Sequence, residues 1–222
     1  MSVGTVRLVV FDLDGTLVDS AGDLATGVNR TLERLAPGTP PLSRETVRGF
    51  IGNGARRLVA RSLAAAGLPA SVDETLPLFV DSYRQCLVET TVLYAGAEEA
   101  LDQLGDRILA VLTNKAGDLS RIILEQLEVA RHFFRVYGGG DLPAAKPDPA
   151  GLLRLLTETG VAPGETLMVG DSAIDVRTGR AAGARTAGVT YGFDPAGLEA
   201  ASPDLTLSDL RELAGTLRPL SR

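Results

Sequence analysis

The sequence predicts an α/β fold: a doubly wound, Rossmann-like parallel sheet core with an inserted small all-helical cap domain. From about residue 95 onward, short apolar segments typical of buried strands alternate with segments of helical spacing. This alternation favours a parallel sheet with helices on both faces. A further strand, predicted over residues 6–11, has no partner before residue 95. The helical stretch that lies between them is therefore an insertion in the core.

The predicted core consists of residues 1–19 and 93–222, which is the size of one ordinary domain. Its first strand, residues 6–11, is rich in β-branched side chains and ends at a polar turn. Further strands are predicted over residues 107–112, 134–137, 167–169, 185–189 and 205–207, and helices over residues 119–127, 149–159 and 174–182.

The inserted segment, residues 20–92, is the predicted cap domain. Prolines between Pro37 and Pro41 separate its first helix from its second, and Ser71 or Asp73 can cap the third. The segment has no strand pattern. Apolar side chains recur at helical spacing in three groups: Leu24, Val28, Leu32 and Leu35; Leu58, Val59 and Leu63; and Leu76, Phe79, Val80, Tyr83 and Leu87.

Composition excludes several classes of protein. The net charge is −6 with no basic block, so we expect no nucleic-acid partner. The single cysteine, Cys86, rules out an intrachain disulfide, and the single histidine, His132, rules out a multi-histidine metal site. The apolar run over residues 6–11 is too short for a signal peptide or a membrane span. We therefore expect a cytoplasmic protein without a membrane partner.

Lysine is scarce in this chain. Only Lys115 and Lys146 occur among 22 basic residues, and the others are arginines. A lysine that persists in such a chain indicates a position where a compact ammonium is needed and a planar guanidinium is not. The alternative is that two surface lysines remain by chance.

Polar side chains follow four of the predicted strands. Ligands bind outside the carboxyl ends of strands in open α/β sheets, so these residues are expected to share one edge of the sheet. They are Asp12 and Asp14 after the first strand, Thr113 and Asn114 after the second, Lys146 after the third, and Asp171, with Asp175 one helical turn later, after the fourth.

This set of residues suits phosphoryl transfer with a hard cation. Clustered carboxylates repel one another, and their oxygens are the ligands that Mg²⁺ prefers. Asp12 is the candidate nucleophile, and Asp14 can protonate the leaving oxygen and then activate water. Thr113, Asn114 and Lys146 suit the phosphate oxygens. The predicted metal residues are Asp12, Asp14 through its carbonyl, Asp171 and Asp175.

Residues 12–20, with the sequence Asp-Leu-Asp-Gly-Thr-Leu-Val-Asp-Ser, resemble the first motif of the haloacid dehalogenase-like hydrolases. Thr113-Asn114 resembles the second motif, Lys146-Pro147 the third, and Gly170-Asp171-Ser172 with Asp175 the fourth. Their order and spacing match over nearly the whole chain. The resemblance implies the roles given above, with Mg²⁺ as cofactor, and an insertion that is similar to the small cap type of this superfamily.

Within the superfamily the chain looks most like the phosphoglycolate phosphatases, which implies hydrolysis of 2-phosphoglycolate, a small phosphorylated metabolite. The supporting stretches are residues 50–55, 137–139 and 188–193. Gly140 departs from that subfamily, which often carries an acidic residue there. In the cap, a glycine-flanked helix start beside arginines suggests that Asn53, Gly54 and Arg56 bind the substrate's carboxylate.

Several alternatives remain at this point. The same core chemistry serves a pyrophosphatase or a phosphosugar phosphatase or mutase, and a non-catalytic relative could use the cleft for binding alone. Asp175 could simply support the first turn of a helix, and Lys146 could be a solvated surface charge. Dehalogenation is disfavoured by Asp14, because a dehalogenase needs no second aspartate. A monomer or a homodimer is expected.

Overall fold

A computed structural model describes residues 5–217 of the chain. The chain divides into two compact units. The first unit takes in the chain up to Val18 and from Leu93 onward, and the second is Asp19–Val92. The strands are β1 (Leu8–Phe11), β2 (Val18–Asp19), β3 (Val92–Leu93), β4 (Ile108–Ala116), β5 (Arg135–Gly139), β6 (Thr166–Gly170), β7 (Arg185–Val189) and β8 (Leu205–Leu207).

The helices alternate with strands in the first unit and follow one another in the second. Those of the second unit are α1 (Ala21–Leu35), α2 (Arg44–Arg48), α3 (Ala55–Ala66) and α4 (Val72–Arg84). Those of the first are α5 (Ala97–Gln103), α6 (Gly117–Gln126), α7 (Ala150–Thr159), α8 (Ala173–Ala181), α9 (Pro195–Ala201) and α10 (Glu212–Thr216). Between residues 5 and 217, none of these helices is long and apolar enough to cross a bilayer.

The first unit is built on a six-stranded parallel sheet in the order β5-β4-β1-β6-β7-β8. Phe11 pairs with Val111 on one side and with Val169 on the other, so β1, β4 and β6 end close together. The chain builds β4 and β5 on one side of β1 and then crosses to build β6, β7 and β8 on the other. The predicted α/β fold class is confirmed, and the point where the strand order reverses lies at β1.

Burial explains why the core strands read as continuous apolar runs. All four side chains of β1 are fully buried, as expected for a central strand covered on both faces. One buried cluster joins β1, β4 and β6 to helix α7; its larger members are Leu8, Val10, Leu112, Leu152, Leu155 and Met168. This packing holds the carboxyl end of β1 between its two neighbours.

The structure corrects several predicted elements. Strand β4 extends to Ala116, because Thr113, Asn114 and Lys115 belong to the strand even though they break its apolar pattern. Helix α4 ends at Arg84, before Leu87. Helices α2, α5, α9 and α10 were not predicted. Each has seven residues or fewer, and α2 buries only Val47, so the sequence carries too little periodicity to indicate them.

A buried carboxylate ties together the two ends of the second unit. Asp23, in the first turn of α1, is fully buried. Its two oxygens accept five hydrogen bonds of 2.6–3.1 Å from four donors, the backbone N–H groups and hydroxyls of Thr90 and Thr91. The segment that enters this unit is therefore fixed to the segment that leaves it.

We expect Asp23→Ala to lower the free energy of unfolding by about 2–4 kcal/mol, because it leaves buried donors without partners. Asp81→Asn is the control. Asp81 is 54% exposed and pairs with Arg34 at the surface, so its loss should cost at most about 0.5 kcal/mol. Urea denaturation followed by circular dichroism measures both. Equal losses in the two variants would contradict the role assigned to Asp23.

Candidate active site

The first polar residue after β1 is buried at the edge of the sheet. The backbone N–H of Asp12 donates to the carbonyl of Val169 at 2.8 Å, which continues the β1–β6 ladder by one residue. Oδ1 of Asp12 accepts a hydrogen bond of 2.7 Å from the N–H of Leu13. The residue is only 8% exposed. The sheet thus delivers a carboxylate with a fixed orientation to its carboxyl edge.

A sharp turn follows Asp12 and needs a glycine. Gly15 has a φ of +86°, a conformation that costs little only without a Cβ atom. A Cβ atom there would also stand 2.2 Å from Oδ2 of Asp171. Gly15 therefore lets the turn pass directly beside the carboxylate that follows β6.

Three buried carboxylates, those of Asp12, Asp171 and Asp175, each place an oxygen within 4.8 Å of the others. Burial raises the pKa of Asp12 to about 6; Lys146 opposes the effect and Asp175 adds to it. Burial also raises the pKa of Asp171 well above its usual range, and the charges of Asp175 and Asp12 contribute. Such a cluster of desolvated oxygens fits a hard divalent cation, which would offset the repulsion.

Lys146 contacts two of these carboxylates. Its Nζ atom lies 2.9 Å from Oδ1 of Asp12 and 2.6 Å from Oδ1 of Asp175. Burial disfavours the ammonium, but the two carboxylates outweigh this effect, and the pKa of Lys146 is raised. Lys146 is therefore buried and charged, and the surface alternative considered for it is wrong.

Asn114 fixes the backbone of Lys146. Its amide nitrogen donates to the carbonyl of Lys146 at 3.0 Å, and its amide oxygen accepts from the N–H of Lys146 at 2.9 Å. These two bonds attach the loop after β5 to β4. These contacts make Asn114 a positioning residue for Lys146, and its predicted role in binding phosphate stays a prediction.

The second aspartate after β1 has a lysine partner. Both carboxylate oxygens of Asp14 lie 3.0 Å from Nζ of Lys115, near the end of β4. The side chains are 12% and 5% exposed. Thr113, two residues before Lys115 in β4, is also buried, and its hydroxyl accepts a bond of 3.3 Å from the N–H of Lys115.

The residues after β6 are held by local hydrogen bonds. Oδ2 of Asp171 accepts from the N–H of Phe193 at 2.6 Å. Oδ2 of Asp175 accepts from the N–H and the hydroxyl of Ser172, which forms a capping box at the start of α8. Asp175 therefore supports the first turn of its helix, as one alternative proposed, and also belongs to the carboxylate cluster.

A known protein family matches this chain. The family model described as haloacid dehalogenase-like hydrolase matches residues 9–189, which is most of the chain. The chain belongs to the haloacid dehalogenase-like hydrolases.

Relatives with assigned names are similar over most of their length. A phosphoglycolate phosphatase of Pseudomonas putida is 43% identical over 93% of this chain and 78% of its own. A phosphoglycolate phosphatase of Vibrio parahaemolyticus is 36% identical over 96% of both chains. A crystal structure from Haemophilus somnus, described as a predicted phosphoglycolate phosphatase, superposes with a TM-score of 0.88 at 32% identity, covering 95% of this chain and 97% of that one.

In this member of the family, the predicted cap residues already have partners within their own unit. Helix α3 begins after Gly54, as expected. Arg56 pairs with Asp73 of α4 at 2.6 Å, and the side-chain oxygen of Asn53 accepts a bond of 3.4 Å from Arg57. Arg56 and Asp73 are more than half exposed, so their pair is weak. A role for Asn53, Gly54 and Arg56 in binding substrate stays a prediction.

Lys115 was not among the predicted site residues. Two signals were available in the sequence: the scarcity of lysine, and the position of Lys115 only two residues after Thr113. The predicted strand ended at residue 112, so Lys115 was not assigned to it. Because both lysines are buried, the alternative of two chance surface lysines is wrong.

A divalent cation should stabilise the protein through the carboxylate cluster. We expect Mg²⁺ at one hundred times its dissociation constant to add about 2.7 kcal/mol, and roughly 5–10 °C in Tm. Asp171→Asn should lose most of this shift, and without metal it should be at least as stable as the parent, because a buried charge is removed. Differential scanning calorimetry measures both effects.

Asp102→Asn is the control, since Asp102 is 64% exposed and lies outside the cluster. It should keep the full Mg²⁺ shift. An Asp171→Asn variant that responds to Mg²⁺ as strongly as the parent would contradict the proposed metal site.

Proposed function

We propose that this protein is a Mg²⁺-dependent phosphatase that hydrolyses 2-phosphoglycolate to glycolate and phosphate through an aspartyl-phosphate. One observation carries the chemistry: Asp12 contacts the ammonium of Lys146 and clusters with two further buried carboxylates, with Asp14 two residues away in sequence. The names of the relatives support the substrate.

In the first half-reaction, a carboxylate oxygen of Asp12 attacks phosphorus as the ester P–O bond breaks. Asp14 gives its proton to the departing oxygen, and glycolate leaves. Lys146 and the N–H of Leu13 hold Oδ1 of Asp12, so the plane of the attacking carboxylate is fixed before the substrate binds.

In the second half-reaction, water attacks the phosphorus of the aspartyl-phosphate. Asp14 takes a proton from this water, the bond between phosphorus and Asp12 breaks, and phosphate leaves. This proton replaces the one that Asp14 gave to the leaving oxygen, so the acid form is restored for the next cycle. Lys115 contacts both oxygens of Asp14 and so fixes the orientation of the group that carries the proton.

The phosphate oxygens need positive charge and hydrogen-bond donors. Lys146 and the hydroxyl of Thr113 are placed to supply them, and Asn114 acts by holding the backbone of Lys146. Asp12, Asp171 and Asp175, with the carbonyl of Asp14, would hold Mg²⁺, which when bound neutralises charge on the phosphoryl group.

The second aspartate bears on the type of reaction. An acid is needed where the leaving group is an alkoxide, as in a phosphate ester, and Asp14 is held at the site for that task. Pyrophosphate or a phosphosugar would use the same core groups. We favour 2-phosphoglycolate over them because relatives that cover almost the whole chain carry that name.

We expect Asp12→Asn to lower kcat by roughly 10⁴-fold or more, because the attacking group is lost. The variant should still fold, since an uncharged amide is easier to bury than a carboxylate. Phosphate release and circular dichroism test this, with Asp102→Asn as the control that keeps its activity. A folded Asp12→Asn variant with parental turnover would overturn the mechanism.

A panel of substrates tests the specificity. Phosphate release should require Mg²⁺, and kcat/KM for 2-phosphoglycolate should exceed that for pyrophosphate, hexose phosphates and nucleotides by at least about tenfold. Activity led by another compound would keep the mechanism and reject this substrate. Failure to hydrolyse any compound of the panel would favour a binding relative without activity.

A further inference from the structure

A second lysine, Lys115, places its ammonium in the interior of the site, in contact with Asp14. Its Nζ atom is 3.0 Å from both oxygens of Asp14, and its side chain is 5% exposed. Burying a charge is costly, and a partner such as Asp14 makes it tolerable. Fixing the orientation of Asp14 does not by itself require a full positive charge, since neutral donors would also do so.

The position of Lys115 in β4 relates it to the path of the substrate. Thr113 and Lys115 are two residues apart in the strand, and both are buried. The N–H of Lys115 donates to the hydroxyl of Thr113 at 3.3 Å, so the two residues are adjacent at this end of the strand. The phosphoryl group belongs beside Thr113 and Lys146, and the ester oxygen belongs beside Asp14. Lys115, which contacts Asp14, therefore lies on the leaving-group side.

In 2-phosphoglycolate the carboxylate is attached to the carbon that bears the ester oxygen. When this oxygen contacts Asp14, the substrate's carboxylate lies a short distance beyond the oxygen. A group that contacts Asp14, such as Lys115, can therefore reach the substrate's carboxylate. A lysine ammonium on its flexible stem can turn from one carboxylate oxygen to another. A largely buried ammonium also attracts a carboxylate more strongly than one in water.

We propose that Lys115 determines specificity by binding the carboxylate of the substrate's leaving group. The assignment rests on the proposed function and identifies the preferred leaving groups as short hydroxy acids, whose carboxylate lies next to the ester carbon. It differs from the cap hypothesis, in which Arg56 binds this carboxylate. Arg56 is largely exposed and already pairs with Asp73.

The test compares two substrates of the same length. Ethyl phosphate has a methyl group where 2-phosphoglycolate has its carboxylate, so the ratio of their kcat/KM values measures recognition of the carboxylate. We expect Lys115→Met to lower this ratio by at least about tenfold, mainly through a higher KM for 2-phosphoglycolate. Hydrolysis of ethyl phosphate should fall much less.

A second variant guards against misfolding. Lys115→Gln retains an amide donor for Asp14 and removes the charge, so Asp14 keeps a hydrogen-bond partner. It should show the same loss of preference as Lys115→Met. Arg56→Ala is the comparison variant, and it should keep the parental ratio, because the assignment gives the carboxylate to the core.

Each outcome separates this assignment from the proposed function. A parent protein that does not prefer 2-phosphoglycolate to ethyl phosphate would contradict the proposed substrate, and the assignment with it. A parental preference that persists in Lys115→Gln would overturn the assignment alone. An equal fall in kcat/KM for both substrates would show that Lys115 only positions Asp14. If Arg56→Ala alone lost the preference for 2-phosphoglycolate, the cap would be favoured as the site that binds the carboxylate.

Discussion

Repulsion among buried carboxylates is the constraint on which the site depends. Asp12, Asp171 and Asp175 bring oxygens within 4.8 Å of one another in a desolvated position, and burial raises the pKa of Asp12 and Asp171. Such an arrangement persists only if other contacts oppose it. Lys146 opposes it directly, and the N–H groups of Leu13 and Phe193 add hydrogen bonds. The charge that remains is what a divalent cation would neutralise.

The strand order brings these groups together. β1 lies between β4 and β6, and the three strands run in the same direction, so residues far apart in sequence meet at one edge. Close approach then limits the side chains that fit. Gly15 illustrates this limit, because a Cβ atom there would overlap with Asp171. The backbone is therefore adapted to the site as closely as the charged groups are.

Much of this arrangement could be predicted from the sequence, because each core strand is apolar and ends at a polar motif. The strands β7 and β8 were predicted with their exact ends. The contacts of Asn114 with Lys146 and of Lys115 with Asp14 were not predicted, because they join residues that are far apart in sequence. The short helices were not predicted because each has seven residues or fewer with one to three of them buried, which is too little to show helical spacing. The spacing of residues in the sequence indicates which strand end carries a polar side chain. Only the structure shows which of these side chains contact one another.

The two lysines differ in the balance of charge around them, and this difference suggests different tasks. Lys146 contacts Asp12 and Asp175, so the negative charge beside it exceeds its own. A phosphoryl dianion that approaches Asp12 meets this excess, and its approach is unfavourable unless a divalent cation is already held by the cluster. The ammonium of Lys115 contacts both oxygens of one carboxylate, that of Asp14. If Lys115 turns toward a substrate carboxylate, it exchanges one negative partner for another, whereas Lys146 cannot leave its two carboxylates without leaving their repulsion unopposed. Under the proposed function, the phosphoryl group therefore belongs to the lysine that stays in place, and the leaving group belongs to the lysine that can turn.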